Sequence, residues 1–313
     1  MKAAVVTELG RAPELLDRPN PSGDVLYEVS VVALNPIDVN VGAGRYFAGH
    51  PALPFIPGCE GVGRAPDGTR HYLFGDGLGL ARDGLLAERA AAPAALGIPL
   101  PAGVSDEVAA ACGIAGMAGW MPVVWRAPVR PTDRVLVLGA TGTVGLVAVQ
   151  AAKLLGAERV VAAGRNAERL RRAGELGADA TVNLEEGELV SAFKEAAGGD
   201  GPTLIIDMLW GPPAVAAIQA AAPGWRLVQV GQSAGAEATM ASAAIRGKMG
   251  EIYGFTDFAV SPADFREHYL RLVEHAAADE IVFDIETYPL ARVAEAWERQ
   301  AGGANAKIVV ALT

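Results

Sequence analysis

The sequence predicts an α/β protein in which a doubly wound parallel-sheet domain is inserted into a β-rich domain built from both ends of the chain. Three observations carry that expectation. Residues 134–145, Arg-Val-Leu-Val-Leu-Gly-Ala-Thr-Gly-Thr-Val-Gly, join a short apolar run to a glycine turn, and apolar residues at helical spacing follow. After Pro131 strand and helix patterns alternate, which implies a parallel sheet with right-handed crossovers. The first third is β-rich, and beyond Phe255 the chain continues with helix and strand patterns and no low-complexity linker. The expected boundaries are 1–115 and 256–313 for the β-rich domain and 116–255 for the inserted one.

Taken in order, Lys2 to Thr7 and Val25 to Ala33 read as strands. Asn35-Pro36-Ile37-Asp38 opens a short helix, with Asn35 as N-cap and proline at the first helical position. A stretch rich in glycine and proline, from Gly42 to Gly63, contains Tyr46. Asp67-Gly68 marks a hairpin between Gly63-Arg64 and His71 to Phe74. Leu96 to Pro101 reads as a strand, and Ser105 with Glu107 starts a helix through Ala111. The alternating region places strands at 135–138, 159–163, 180–183, 204–207, 226–230 and 252–255, with helices at 166–176, 188–197 and 213–221. The return segment reads as a helix at 262–275, a strand near 281–286, a helix at 290–300 and a strand at 308–312.

The chain has 313 residues, 51% of them hydrophobic, enough to bury a large core, and its net charge of −10 disfavours a nucleic-acid or anionic-membrane partner. Two cysteines, Cys59 and Cys112, cannot form a disulfide framework, so a reducing cytoplasm is expected. The N-terminus reaches Glu8 too early for a signal peptide. Residues 135–152 carry no charge and approach membrane-spanning length, but the glycines at 139, 142 and 145 divide them into strand and helix. A soluble protein is expected.

Read from Ala140, the turn is Ala-x-Gly-x-x-Gly, a dinucleotide fingerprint with alanine in the first glycine's place. Gly142 lets the backbone approach a pyrophosphate, and Gly145 lets the helix pack close to the strand. The first helical turn, Thr141, Thr143 and Val144 among it, offers N–H groups to the phosphates. An enzyme that prefers NAD carries an acid about 20 residues beyond the glycines to bind the ribose diol. Here that region is Ala162-Ala163-Gly164-Arg165-Asn166, with Arg169 one turn later and no acid. Gly164 leaves space and arginine offers a fork of donors to a 2′-phosphate, so NADPH is the expected cofactor.

Several motifs together make the chain resemble the medium-chain dehydrogenase/reductase superfamily, in its zinc-independent quinone oxidoreductase-like branch. They are Ala33-Leu34-Asn35-Pro36-Ile37-Asp38, Pro57-Gly58-Cys59-Glu60-Gly61-Val62-Gly63, Gly139 to Gly145 with Ala151 to Ala157, Glu175 to Asp179, Val228 to Gly231, and Ala306-Lys307-Ile308-Val309. The resemblance implies a GroES-like catalytic domain, a Rossmann domain, NADPH, and hydride transfer to quinones or α,β-unsaturated carbonyls. It further implies that Tyr46 and Asn35 act at the catalytic end, that Leu209, Gly231, Gln232 and Asn305 help hold the cofactor, and that the protein is a homodimer. Two alternatives share these residues: a narrow-specificity enoyl reductase of a biosynthetic pathway, and an NADPH-binding relative without turnover.

Zinc-dependent relatives place a Cys near Asn35 and a His-Glu pair where Cys59-Glu60 stand, and the lobe of four close cysteines is missing here. An amide is a poor zinc ligand, although Cys59, Glu60 and Cys112 are chemically acceptable ones, and the four histidines show no ligand spacing. No metal is expected. The chain also departs from the branch in having Ala118 where a threonine is usual and a shorter stretch from Arg64 to Glu88.

Overall fold

A computed structural model describes residues 1–23 and 25–312. They form two units, one lying within residues 1–115, 266–279 and 283–312, the other within residues 116–265 and 280–282. The parallel-sheet unit thus continues past 255 into the start of the helix Pro262–Ala277.

The first unit is built on a seven-stranded sheet in the order Ile285–Pro289, Lys307–Ala311, Val25–Ala33, Glu60–Arg64, Arg70–Phe74 and Gly97–Pro99, with Arg89–Ala92 also pairing with Val25–Ala33. The C-terminal strand runs antiparallel to Val25–Ala33, with Val309 opposite Ala33. Alternation explains the long strand: Tyr27, Val29 and Val31 are buried while Leu26 and Glu28 face outward. Asp67 closes the hairpin, its carboxylate accepting from Thr69 N at 2.9 Å, and Gly68 takes the positive φ the turn requires. Asn35 stands at the N-cap of Pro36–Gly42 in a capping box with Asp38.

The second unit holds a six-stranded sheet, parallel throughout, in the order Ala180–Asn183, Arg159–Gly164, Arg134–Leu138, Leu204–Asp207, Arg226–Gln229 and Glu251–Gly254. Strand order reverses between Arg134–Leu138 and Leu204–Asp207. That switch point opens a crevice at the carboxyl ends of the strands, where such sheets bind ligands.

Several expected elements differ. The first strand stops at Val5 rather than Thr7, and Leu96 to Pro101 shrinks to Gly97–Pro99. The strands Glu14–Asp17 and Arg89–Ala92 carry too little alternation to be read from sequence. The helix expected to end at Ala111 continues as helical turns to Arg126, with a break at Gly113. Its glycines are there for close packing: a Cβ on Gly119 would lie 2.5 Å from Val144 O. This segment, Asp106–Arg126, is the one helix among the described residues long and apolar enough to cross a membrane, yet 78% of its apolar window is buried inside the protein. The strand expected near 281–286 begins only at Ile285. Val282 is instead held by the Gln150 side chain, which accepts from Val282 N at 2.9 Å and donates to Val282 O at 3.0 Å.

Candidate cofactor and active site

In the second unit the fingerprint turn is stitched to the neighbouring strand. The N–H groups of Gly139 and Ala140 both donate to Ala163 O at 2.9 Å, and Gly139 takes φ +83°. The helix Thr143–Leu154 starts at once, with Gly142 as N-cap. The two later glycines do different work. A Cβ on Gly145 would lie 2.3 Å from Gly139 O and 2.5 Å from Ala140 Cα, so helix and turn touch backbone to backbone. A Cβ on Gly142 would meet only Gly139 O, at 3.9 Å. Its open side is a place for an anion, beside the unsatisfied N–H groups of a twelve-residue helix.

Arg159–Gly164 ends beside this turn, and Asn166 caps the next helix by accepting from Arg169 N at 3.0 Å. Arg169 Nε donates to Thr141 O at 3.3 Å. Arg165 is exposed and makes no hydrogen bond or ion pair among the described residues, whereas Arg171 and Arg172 both pair with Glu175. The sequence groups four arginines at this helix start, and the structure separates Arg165 from the other three.

Across the switch point, Asp207 ends its strand with Oδ1 accepting from Leu209 N at 2.8 Å and Trp210 N at 2.9 Å. Its Oδ2 is buried with no hydrogen-bond partner among the described residues, and burial pushes the carboxyl up to about 6. Leu209 packs over Gly139, where a Cβ would meet its Cδ2 at 3.1 Å, and a Cβ on Gly231 would lie 2.9 Å from Met208 O. The structure therefore gathers Thr141 to Gly145, Gly164 to Arg169, Leu209 and Gly231 at one end of the sheet, with Gln232 exposed just beyond. Sequence reading missed Asp207, although an acid closing the apolar run Leu204-Ile205-Ile206 was a visible signal. Because the folded state holds the Asp207 proton more tightly than the unfolded chain does, its contribution to stability falls as pH rises from about 4 to 6, by ~3 kcal/mol at most. Unfolding free energies measured across that window are expected to decline less in Asp207→Asn than in the wild type.

In the first unit Asn35 is the hub of a buried polar network rather than an exposed donor. Its amide Nδ2 donates to Glu60 Oε1 at 2.7 Å and to Ala33 O at 3.3 Å, and its Oδ1 accepts from Lys307 Nζ at 2.6 Å. Lys307 also donates to Glu60 Oε1 at 3.1 Å and to Leu34 O at 3.1 Å. Glu60 Oε2 accepts from Tyr72 OH at 2.7 Å and Ile114 N at 2.6 Å. Asp38 accepts from the backbone N–H of both Asn35 and Cys59, at 2.8 and 3.0 Å. All these side chains are buried, Glu60 completely. Burial raises the Asp38 carboxyl, and it raises the Cys59 and Cys112 thiols with neighbouring carboxylates adding to the effect.

Tyr46 is half-buried against Val6, Val41 and Phe55, and its ring lies 4.7 Å from that of Phe47. Its hydroxyl makes no hydrogen bond among the described residues. Asn305 is exposed in the turn before Lys307–Ala311. Both belong to the first unit.

These residues do not fit a zinc ion. Both oxygens of Glu60 are taken by four donors, one of them a cation, and an amide at Asn35 is a poor zinc ligand. Among the described residues no group of three or more His, Cys, Asp or Glu side chains is placed to hold a metal. The residues do fit a dinucleotide: a Cβ on Gly142 would stand in the open space beside the first turn of Thr143–Leu154, and glycine leaves that space free.

A family model described as zinc-binding dehydrogenase matches residues 143–275. Quinone oxidoreductase-like protein 2 of Rattus norvegicus is 30% identical over 248 residues, which cover 77% of this chain and 71% of the rat protein. The chain belongs to the medium-chain dehydrogenase/reductase superfamily. Within it, the likeness places the chain in the quinone oxidoreductase-like branch. A phenolphthiocerol/phthiocerol polyketide synthase chain of Mycobacterium tuberculosis is 29% identical over 311 residues, which cover 94% of this chain and 14% of that much longer protein. The quinone oxidoreductase of Thermus thermophilus, whose structures include a complex with NADPH, matches with a TM-score of 0.80 and 29% identity over the whole of both chains. The two sheets of the present structure are thus the GroES-like and Rossmann parts of the superfamily fold.

Proposed function

We propose that this superfamily member is an NADPH-dependent oxidoreductase that delivers hydride to a quinone or an α,β-unsaturated carbonyl without zinc. The observation that carries the reading is the end of the strand Arg159–Gly164, where the acid of an NAD site is missing and Arg165 stands exposed without a partner. When bound, NADPH supplies the hydride. The N-terminus of Thr143–Leu154 and the open face of Gly142 hold the pyrophosphate, and Arg165 reads the 2′-phosphate. A charge-assisted contact contributes about 1.5–3 kcal/mol. Arg165→Ala is therefore expected to weaken NADPH binding about ten-fold or more while leaving NADH nearly unchanged in fluorescence titrations. Equal losses for both cofactors would assign Arg165 a structural role.

The acceptor borders Tyr46 in this reading. The ring stacks on a flat quinone, and the hydroxyl, which has no partner within its unit, hydrogen-bonds the oxygen that gains charge. A reduced quinone takes its proton from water, so Tyr46→Phe is expected to lower kcat/KM less than about five-fold, and Tyr46→Ala to lower it more. Wild-type kinetics in the alanine variant would remove Tyr46 from the site. Asn35 acts as a positioning residue, since both its amide groups are already engaged.

The test of the function is NADPH oxidation against a quinone panel and an enal panel, on protein whose zinc content is measured. Turnover of either class with sub-stoichiometric zinc and no loss to chelator supports the proposal. No turnover with intact NADPH binding overturns it in favour of a non-catalytic relative. The likeness to a segment of a polyketide synthase favours a second reading, an enoyl reductase with a narrow biosynthetic substrate, which predicts activity on enoyl thioesters alone.

The protein is cytoplasmic and homodimeric in this proposal. Two free, buried thiols suit a reducing compartment. The outer edge of Glu251–Gly254 is unpaired among the described residues, and Ile252 on it and Met249 beside it are exposed, a strand edge suited to a second copy. Light scattering of the purified protein tests the dimer.

A further inference from the structure

Glycine at position 164 is required by space and not by backbone conformation. Gly164 has no positive φ and continues the strand, pairing with Asn183. A Cβ built on it would lie 2.3 Å from Thr141 Cγ2, 3.1 Å from Oγ1 and 3.3 Å from Thr141 Cβ. The space beside Gly164 is therefore filled already, by the side chain of the residue just ahead of the fingerprint's Gly142. Thr141 cannot easily leave it. The two hydrogen bonds to Ala163 O fix the turn on one side, and the Arg169 bond to Thr141 O fixes it on the other. A β-branched side chain has few rotamers with which to turn aside.

Position 164 is also the end of the second strand, about 20 residues beyond the glycines, where an acid binds the ribose diol of NAD. We propose that Thr141 is a specificity-determining residue: its side chain occupies the space an acid at 164 needs, so Thr141 and Gly164 act together to bar the NAD-type arrangement. The inference rests on the NADPH reading and adds a residue to it. Selectivity is written across two neighbouring loops, and changing the strand end alone does not transfer it.

The experiment compares the wild type, Gly164→Asp, Thr141→Ala and the double variant, by thermal unfolding without cofactor and by titration with NADPH and NADH. Thr141 Oγ1 makes no hydrogen bond among the described residues, so Thr141→Ala is expected to unfold within about 2 °C of wild type. Gly164→Asp alone is expected to lose about 4 °C or more, or to fail to fold, and to gain nothing for NADH. The double variant is expected to regain most of that loss and to bind NADH at least ~10-fold more tightly than Gly164→Asp does. Two outcomes overturn the proposal: a Gly164→Asp protein with wild-type stability and improved NADH binding, or a double variant no better folded than the single. A wild type that prefers NADH overturns the cofactor reading instead. In that case the coupling between 141 and 164, measured without cofactor, still decides whether Thr141 holds this space.

Discussion

Lys307→Met is expected to cost about 3–5 kcal/mol of folding stability, among the largest single-residue effects this chain offers. The substitution leaves the Glu60 carboxylate buried with its hydrogen-bond donors but without its cation, and it leaves Asn35 Oδ1 without the 2.6 Å contact that orients the amide. Desolvation makes the pair a poor source of net stability, so the cost comes from breaking it and not from its absence. The double variant Glu60→Gln/Lys307→Met should therefore be more stable than Lys307→Met alone. A neutral glutamine side chain at position 60 keeps an oxygen for Tyr72 OH and Ile114 N, and with Lys307 gone the Asn35 amide is free to turn its Oδ1 toward the new NH2 group, which would otherwise face Asn35 Nδ2. Denaturant unfolding of the four proteins of this cycle checks it. Additive losses would mean that Lys307 and Glu60 are stabilised separately and that the ion pair does not organise the network.

That network also marks how far the sequence could be read. Strand and helix periodicity are local, so Val25–Ala33, Leu204–Asp207 and the glycine turn were legible from their own residues. So was the N-cap, because Asn35 stands directly before a proline at the first helical position. Lys307 and Glu60 stand 247 residues apart and meet only because the C-terminal strand pairs with Val25–Ala33. Sequence reading took Asn35 for a catalytic contact and Glu60 for a conceivable metal ligand, since each was seen without its partner. Gly113 belongs to the same network: a Cβ there would lie on the Glu60 carboxylate and against Tyr72 OH, so glycine is required at that place by residues distant in sequence. Arg165 was legible as a residue type, but its freedom was not, because Glu175 claims Arg171 and Arg172 only once the helix has formed.

Gly142→Ala and Gly145→Ala are expected to separate binding from folding in one turn. At 142 the new methyl group meets only Gly139 O at 3.9 Å, and the φ of −93° is open to any residue. Restricting the unfolded chain offsets the poorer N-cap, so the cofactor-free protein should unfold within about 2 °C of wild type. The methyl group then stands where the pyrophosphate must approach the backbone, and dinucleotide affinity is expected to fall about 100-fold or more. At 145 the methyl group is driven into Gly139 O and Ala140 Cα, backbone atoms that cannot rotate away. Helix and turn must part, so stability falls by about 1–3 kcal/mol and binding is lost with it. Calorimetric unfolding and cofactor titration on the two variants check the contrast. A Gly142→Ala protein that binds NADPH like the wild type would show that the dinucleotide does not use this turn, and the proposed function would fall with it.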